Sequence, residues 1–174
     1  EAAHTYGALQ ALASAIEATI TPDNSDPNVQ YADDAEFSVL YADPELTFSL
    51  QMADIPLAVQ EMLFSHVIDD NGVLIRTAQD KPAYFACGFK SEKANGKYRY
   101  VWLYKVRAKP ITEKYTTKEG KTVNRQTGTV EFTAIKRTHD GRYQAIADED
   151  ENSFTASKAA TFLTAVYEPT VAVA

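Results

Sequence analysis

The chain has 174 residues, of which 45% are hydrophobic and 24% charged, and it is rich in aromatic side chains. A chain of this length is expected to fold as one domain that removes about 70% of its unfolded surface from water. Seven Gly and seven Pro are too few for a disordered or fibrous chain, and one Cys excludes a disulfide framework. No apolar run approaches the ~20 residues of a membrane-spanning helix.

The net charge of −7 is distributed unevenly along the chain. Residues 1–80 contain 14 acidic residues and one basic residue, whereas residues 81–142 contain 15 basic and five acidic residues. Residues 143–174 are acidic again, with five acidic residues and one Lys. Such segregation leaves two explanations open. Acidic and basic strands neutralise each other within one fold, or complementary patches meet between neighbouring copies of the chain.

The first third of the chain predicts strands and one helix. Residues 8–20 fit a helical face and one side of a strand equally well. Strict alternation over residues 45–52 predicts a half-buried strand, and residues 37–41 repeat the pattern. A helix is predicted next, capped by Asp54, with Pro56 in its first turn, where a missing amide hydrogen costs no bond.

The basic segment predicts an antiparallel meander over residues 83–147. Asn95-Gly96 indicates a hairpin with a type I′ turn, in which both residues have positive φ. Residues 129–138 alternate between apolar and polar side chains, and Asp140-Gly141 is expected to turn the chain into the next strand. We expect the meander to be interrupted once, by a long excursion at residues 108–128.

A second helix is predicted over residues 155–166, with an apolar stripe formed by Phe162, Leu163 and Val166. An acidic run, Asp148 to Glu151, precedes it. We interpret the run as a solvated loop ahead of the helix rather than a calcium site, because no EF-hand pattern surrounds it.

Residues 97–107 (KYRYVWLYKVR) combine aromatic and basic side chains. Interleaved rings and cations are what a single-stranded nucleic acid needs for stacking and charge neutralisation. The favoured interpretation is that the aromatic face is core and the basic residues are solvated ends. Eleven residues of strand span about 37 Å, which suits a sheet covered on both sides or extended beyond one globule.

No residue pattern indicates catalysis or a cofactor. The glycines never cluster into a phosphate-binding loop, and the three histidines lack metal-ligand spacing. Ser65-His66 with Asp69 contains the residue types of a triad, but we interpret His66 as a cap or packing residue. Cys87 is interpreted as a small buried hydrophobe. We therefore predict no enzymatic activity, no metal and no cofactor.

Residues 108–128 are the longest stretch without a core pattern, and loops of that length are usually functional or disordered. Thr, Tyr and Val around Glu119-Gly120 indicate a projecting hairpin. We predict that this loop contacts an adjacent subunit, especially through Tyr115, Lys118, Lys121 and Arg125.

A series of short sequence motifs occurs in a fixed order along the chain. They are Ile20-Thr21-Pro22, Tyr31-Ala32-Asp33-Asp34, Ala53-Asp54-Ile55-Pro56-Leu57 with Val59-Gln60, Gly72-Val73-Leu74-Ile75, Gly88-Phe89-Lys90-Ser91, Asn95-Gly96-Lys97-Tyr98-Arg99-Tyr100-Val101-Trp102-Leu103-Tyr104-Lys105, Ile135-Lys136-Arg137, Asp148-Glu149-Asp150 and Val166-Tyr167-Glu168-Pro169. This ordered series resembles the major tail proteins of long, flexible-tailed bacteriophages, which form the tail tube. The resemblance covers roughly residues 12–169, and residues 95–105 are its most distinctive part.

The resemblance implies a mainly β fold over residues 1–174, an antiparallel β-sandwich or partial barrel flanked by one or two short helices. It also implies that residues 12–20 are strand, and that a further stretch precedes the position of Tyr6-Gly7. Subunits of such families form rings, usually of six, that stack into a hollow tube conducting DNA without specific binding.

The expected location is the virion, after assembly in the bacterial cytoplasm, and the expected partners are further copies, the tape measure and the terminator. No membrane is expected to be involved. Two alternatives remain open: a single-stranded nucleic-acid-binding β-barrel, and the tube subunit of a secretion or contractile injection system.

Overall fold

The computed structural model describes residues 5–12, 15–23, 28–32, 35–40, 45–112 and 128–170. Within these residues the fold is mainly β with two short helices, as predicted. The elements are β1 (Ala15–Asp23), β2 (Asn28–Ala32), β3 (Ala35–Leu40), β4 (Glu45–Met52), α1 (Leu57–Phe64), β5 (Val67–Ile68), β6 (Leu74–Ile75), β7 (Phe85–Glu92), β8 (Tyr98–Ala108), β9 (Gly128–Ala134), β10 (Gln144–Asp148) and α2 (Ala156–Phe162).

One antiparallel sheet dominates the fold and curls into a half-barrel. Its strand order is β1-β4-β9-β8-β10, and β7 pairs with the other edge of β8. The hairpins β2–β3 and β5–β6 each form a separate two-stranded sheet. The strand expected over residues 12–20 is present from Ala15 onward, so helix propensity in this segment yields to pairing with β4.

The burial pattern of strand β8 changes at a bulge near its centre. Phe85 pairs with Val106 whereas Cys87 pairs with Leu103, so β8 has one extra residue opposite β7. In the N-terminal half of β8 (residues 98–104) the central side chains are buried on both faces, whereas in the C-terminal half (residues 105–108) only alternate side chains are buried. The predicted two-sided coverage is therefore confirmed for the N-terminal half.

Two apolar cores lie on opposite faces of β8. The main core packs side chains of β4, β8 and β9 with α1, and Phe48 stacks on Phe132 at its centre. The second core places Phe162 of α2 against Tyr100 and Trp102. Each large apolar side chain that is fully buried contributes about 1.5–3 kcal/mol to the free energy of folding. The two cores together therefore hold β8 between them.

Three local predictions need correction, the first of which concerns Asn95-Gly96. The hairpin forms, but Gly96 has a positive φ (+77°) and Asn95 does not, so the turn is not type I′. The Gly96 amide donates to the Lys93 carbonyl at 2.9 Å. The loop between β7 and β8 is therefore longer than two residues, and a type I turn followed by a left-handed Gly closes it.

The second correction concerns the meander after β9. Strands β9 and β10 do not form a hairpin; both run antiparallel to β8 along its same edge, one after the other. Residues 135–143 therefore form a protrusion, and the predicted Asp140-Gly141 turn lies within it: the Gly141 amide donates to the Arg137 carbonyl at 2.9 Å, and Gly141 has a φ of +69°. The Ile135 amide donates to the Lys105 carbonyl and the Tyr104 amide to the Tyr143 carbonyl, so pairing with β8 resumes after the protrusion.

The third correction concerns the start of α1. The helix begins at Leu57, with Pro56 at the N-cap, and the Asp54 carboxylate accepts from the Ile55 amide, which lies ahead of the helix. Because a residue that precedes proline is disfavoured in the helical region, Ile55 cannot join the helix. The second predicted helix, α2, is present but ends at Phe162.

Candidate assembly surfaces

One face of the half-barrel sheet is polar. Side chains on this face alternate with the core residues of the same strands, and most are hydroxyls or amides that are exposed or half-buried. Cross-strand pairing aligns them in rows, such as Thr21, Thr47, Thr133 and Arg107. We call this surface the polar face, defined by Thr19, Thr21, Thr47, Ser49, Thr129, Glu131, Thr133 and Arg107.

The sheet has strand edges without a partner strand in the part of the chain that the structure describes. There β1 pairs with β4 alone, and β7 and β10 pair with β8 alone. Ile16 on β1 and Ile146 on β10 are each 57% exposed. Unpaired edges with exposed branched side chains favour pairing with another chain unless they are covered.

The predicted contact loop lies between β8 and β9 in sequence. Its four named residues, Tyr115, Lys118, Lys121 and Arg125, lie outside the described residues, so their role stays a prediction. The flanks are described: the Lys109 amide donates to the Glu131 carbonyl at 2.7 Å, extending the β8–β9 ladder toward the loop.

The aromatic face of β8 is core, as favoured from the sequence. Tyr100, Trp102 and Tyr104 are only 6%, 2% and 1% exposed. Trp102 Nε1 donates to the Phe162 carbonyl at 2.9 Å, and the Tyr104 hydroxyl to the Tyr167 carbonyl at 2.8 Å. These rings are not available to stack on bases, which removes the surface that the nucleic-acid alternative depends on.

The acidic run is more than a solvated loop, because two of its carboxylates are paired with cations. Asp148 accepts two hydrogen bonds of 2.7 Å from Arg99 and one of 3.3 Å from Lys93. Asp150 binds Lys93 and lies 3.1 Å from Lys97 Nζ. We call these five residues the β8–β10 ion cluster. The first explanation of the charge pattern, neutralisation within one fold, therefore holds here.

The chemistry of the run follows from these bonds. The hydrogen bonds from Arg99 lower the pKa of Asp148 to about 2. Glu149 accepts from the Tyr98 amide and from the Tyr100 hydroxyl, both at 2.8 Å, so it closes the end of the second core. Within the described ranges no group of His, Cys, Asp or Glu side chains is arranged to hold a metal ion.

A second cationic group lies in the C-terminal half of β8. The Nζ of Lys105 is 5.0 Å from the ring centroid of Tyr84, and the guanidinium carbon of Arg107 is 5.7 Å from it. Tyr84 is 51% exposed. We call these three residues the Tyr84 cluster. The sequence pattern predicts that these basic residues are solvated strand ends. Their contact with Tyr84 could have been suspected only from the aromatic residue type directly ahead of β7.

Arg137 was also missed from the sequence. Its side chain is 1% exposed, and its guanidinium donates to Glu168 at 2.6 Å and to the Tyr6 hydroxyl at 3.2 Å, and also pairs with Asp140. The same guanidinium lies 4.2 Å from the Tyr104 ring centroid. Arg137 thus joins the N-terminal segment, the protrusion and the C-terminal segment to the centre of β8.

The residues of the considered triad do not assemble. His66 Nδ1 pairs with Asp80 at 2.7 Å and its ring stacks on Phe64, which confirms the packing interpretation. The Asp69 carboxylate instead accepts from the Asn71 and Val73 amides. Cys87 is buried in the main core as predicted, and burial raises its pKa to about 12.

Comparisons with known proteins assign no class to the chain: no protein-family model matches it, and no curated protein matches it. Among the described residues, neither helix is long and apolar enough to span a membrane. Among the described residues the fold is an antiparallel half-barrel with one polar face and with edge strands that have no second strand partner, and the function is inferred from those surfaces.

Proposed function

We propose that this chain is the tube subunit of a long, flexible-tailed bacteriophage: a structural virion protein without catalytic activity. Copies assemble in the bacterial cytoplasm into rings of six, and the rings stack into the hollow tail tube. The resemblance of the ordered motifs motivates the proposal, and the surfaces of the half-barrel support it.

The observation that carries the proposal is the half-barrel sheet, whose edge strands β1, β7 and β10 each lack a second strand partner among the described residues. A barrel has no edges, and neighbouring copies remove theirs by pairing side by side. A ring built in this way continues one antiparallel sheet through every subunit. Exposed Ile16 and Ile146 lie on edge strands that become covered in such a ring.

The polar face suits the lumen of the tube. Its rows of Thr and Ser side chains hydrate well. Arg107, at the β8 end of one row, lies against the Tyr84 ring, and Lys109 Nζ is 3.7 Å from Glu131 Oε2. Each phosphate that a cation neutralises tightens DNA binding through counterion release, so a wall of hydroxyls lets DNA slide. The net charge of −7 also disfavours binding of the DNA phosphates.

Stacking of the rings is a head-to-tail contact, which needs two different matching surfaces on each subunit. We propose that residues 108–128 supply part of one surface. At the tube ends, the tape measure and the terminator are the proposed partners. A secretion or contractile injection tube has the same architecture, and only the ordered motifs favour the phage assignment.

Electron microscopy of the concentrated protein tests the proposal. We expect rings or hollow rods in negative stain, and Ile146→Lys to lower the assembled fraction about tenfold because a charge on an edge strand opposes pairing. Leu57→Lys is the matched control, since Leu57 is 45% exposed and lies on α1 rather than on an edge strand. A protein that stays monomeric at high concentration contradicts the proposal.

Deletion of residues 113–126 tests the loop separately. We expect the shortened chain to keep its far-ultraviolet circular dichroism but to form no tubes, because the ring-to-ring contact is lost. Normal tubes from the shortened protein contradict a contact role for Tyr115, Lys118, Lys121 and Arg125.

A further inference from the structure

The basic excess of residues 81–142 is not neutralised evenly. Lys93, Lys97 and Arg99 face Asp148 and Asp150 in the β8–β10 ion cluster. In the Tyr84 cluster, by contrast, the described contacts of Lys105 and Arg107 are with the Tyr84 ring and not with a carboxylate. Two cations over one exposed ring attract an anion. Tyr and Arg are also the residue types enriched at the centres of protein interfaces.

An acidic, apolar counterpart is present on the β5–β6 hairpin. Ile68 and Leu74 form one cross-strand pair and face inward, whereas Val67 and Ile75 form the next pair and face outward. Val67, Val73 and Ile75 are 59%, 55% and 46% exposed. The hairpin therefore has an outer face of three branched apolar side chains.

Charge at the hairpin tip comes from Asp69 and exposed Asp70. The Asp69 carboxylate accepts 2.8 Å and 2.9 Å hydrogen bonds from the Val73 and Asn71 amides. Those bonds lower the pKa of Asp69, the bond from Val73 most, so the tip stays anionic at neutral pH. The apolar outer face thus ends in negative charge.

We propose that the Tyr84 cluster of one subunit docks on the β5–β6 hairpin of the next copy, with Tyr84 against Val67 and Ile75, and Lys105 and Arg107 against Asp69 and Asp70. Both surfaces pair an apolar centre with a charged rim, and the charges are opposite. The inference rests on the proposed function, to which it adds the residues of a second contact between subunits.

The two surfaces are different, so the contact is heterologous. A subunit offers one Tyr84 cluster and one hairpin, and each copy can therefore bind two others. Such a contact builds chains or rings rather than isolated dimers. This is the second explanation of the charge pattern, complementary patches on neighbouring copies, applied to the cations for which the described residues supply no acidic partner.

A charge swap tests the pairing in the full chain. Arg107→Asp and Asp70→Arg are each expected to lower the assembled fraction about tenfold, and the double variant to restore it to within about twofold. Lys158→Glu is the control for charge reversal, because Lys158 is exposed and lies on α2, which belongs to neither surface. Single variants that assemble normally, or a double variant as defective as either single, overturn the inference.

A cysteine pair provides an independent readout. Lys105→Cys and Asp70→Cys are prepared separately, oxidised alone and in an equimolar mixture, and resolved by nonreducing electrophoresis; native Cys87 is buried and contributes little background. We expect a disulfide dimer only in the mixture. A dimer from Asp70→Cys alone, or none in the mixture while unmodified protein forms rods, overturns the docking. Absence of rods from unmodified protein contradicts the proposed function instead.

Discussion

The two halves of β8 carry similar cations in different surroundings. Arg99, in the N-terminal half, binds Asp148 with two hydrogen bonds because β10 runs alongside and ends in that carboxylate. Arg107, in the C-terminal half, lies opposite Thr133 of β9, and its described aromatic partner is Tyr84. The strand that accompanies each half decides whether its charge is satisfied within the chain.

The same contrast extends to packing. In the N-terminal half, α2 and the main core cover both faces, and the ring of Trp102 is 2% exposed. In the C-terminal half, one face is the polar face. A single strand thus contributes to the stability of the monomer at one end and, in the proposed assembly, offers a surface to partners at the other. The predictions below test that division.

The largest effect is expected at Arg137, which packs against Tyr104 where the two halves meet. Arg137→Met removes the buried guanidinium from Asp140, which keeps Arg142 Nη1 at 3.4 Å, and releases Tyr6 and Glu168. Breaking a buried ion pair by removing one partner costs about 3–5 kcal/mol. Urea unfolding at pH 7 measures the loss in free energy of unfolding.

Arg99→Met is the control, since half of the Arg99 side chain is exposed and solvent screens its ion pair. We expect a much smaller change in the urea midpoint. An Arg99→Met protein less stable than Arg137→Met would contradict the view that the buried guanidinium holds the two halves together.

A smaller effect is expected at Gly88, which pairs across the sheet with Trp102. A Cβ at position 88 would lie 2.8 Å from three ring atoms of Trp102. The indole is confined by the second core, so Gly88→Ala should cost about 1–3 kcal/mol. Thermal unfolding of the monomer measures it.

Gly128→Ala provides the comparison from β9. A Cβ there would meet the flexible end of the Ile55 side chain, which can rotate away. We expect a smaller loss than at Gly88. Equal losses at both glycines would show that the N-terminal half of β8 is no more tightly packed than the adjoining β9.

The sequence predicted features that depend on local period. Alternation over residues 45–52 predicted β4, whose apolar residues are buried as expected. The late start of α1 was also predictable, because Ile55 precedes Pro56 and is disfavoured in a helix. Residue type and alternation also predicted that Cys87 and the aromatic face of β8 are buried.

Features that depend on distant pairing could not be predicted. The bulge in β8 exists only relative to β7, so no property of residues 98–108 alone places it. Arg137 contacts Tyr6, which lies 131 residues away. The acidic run was visible, but its partners Lys93 and Arg99 are set by the register of β10 on β8. For the same reason the Tyr84 cluster had no signal beyond residue type.

The smallest predicted effect concerns the pH dependence of stability, which the ion pairs in the N-terminal half of β8 influence. The hydrogen bonds from Arg99 hold the pKa of Asp148 at about 2 in the folded chain, below the value of about 3.9 expected when it is unfolded. Because the folded pKa is the lower one, the cluster stabilises the fold above about pH 4, and this stabilisation is lost as pH falls toward about 2. Asp148→Asn should therefore reduce the fall in urea midpoint between pH 4 and pH 2.

Arg107→Gln is the matched control for this measurement, because in the described structure no carboxylate in the Tyr84 cluster titrates with it. Its urea midpoint should fall with pH in parallel with that of the unmodified chain. If Arg107→Gln reduced the fall in urea midpoint between pH 4 and pH 2 as much as Asp148→Asn does, Arg107 would have a carboxylate partner within its own chain. The C-terminal half of β8 would then be satisfied internally, like the N-terminal half, and would have no unneutralised charge for a neighbouring copy to bind.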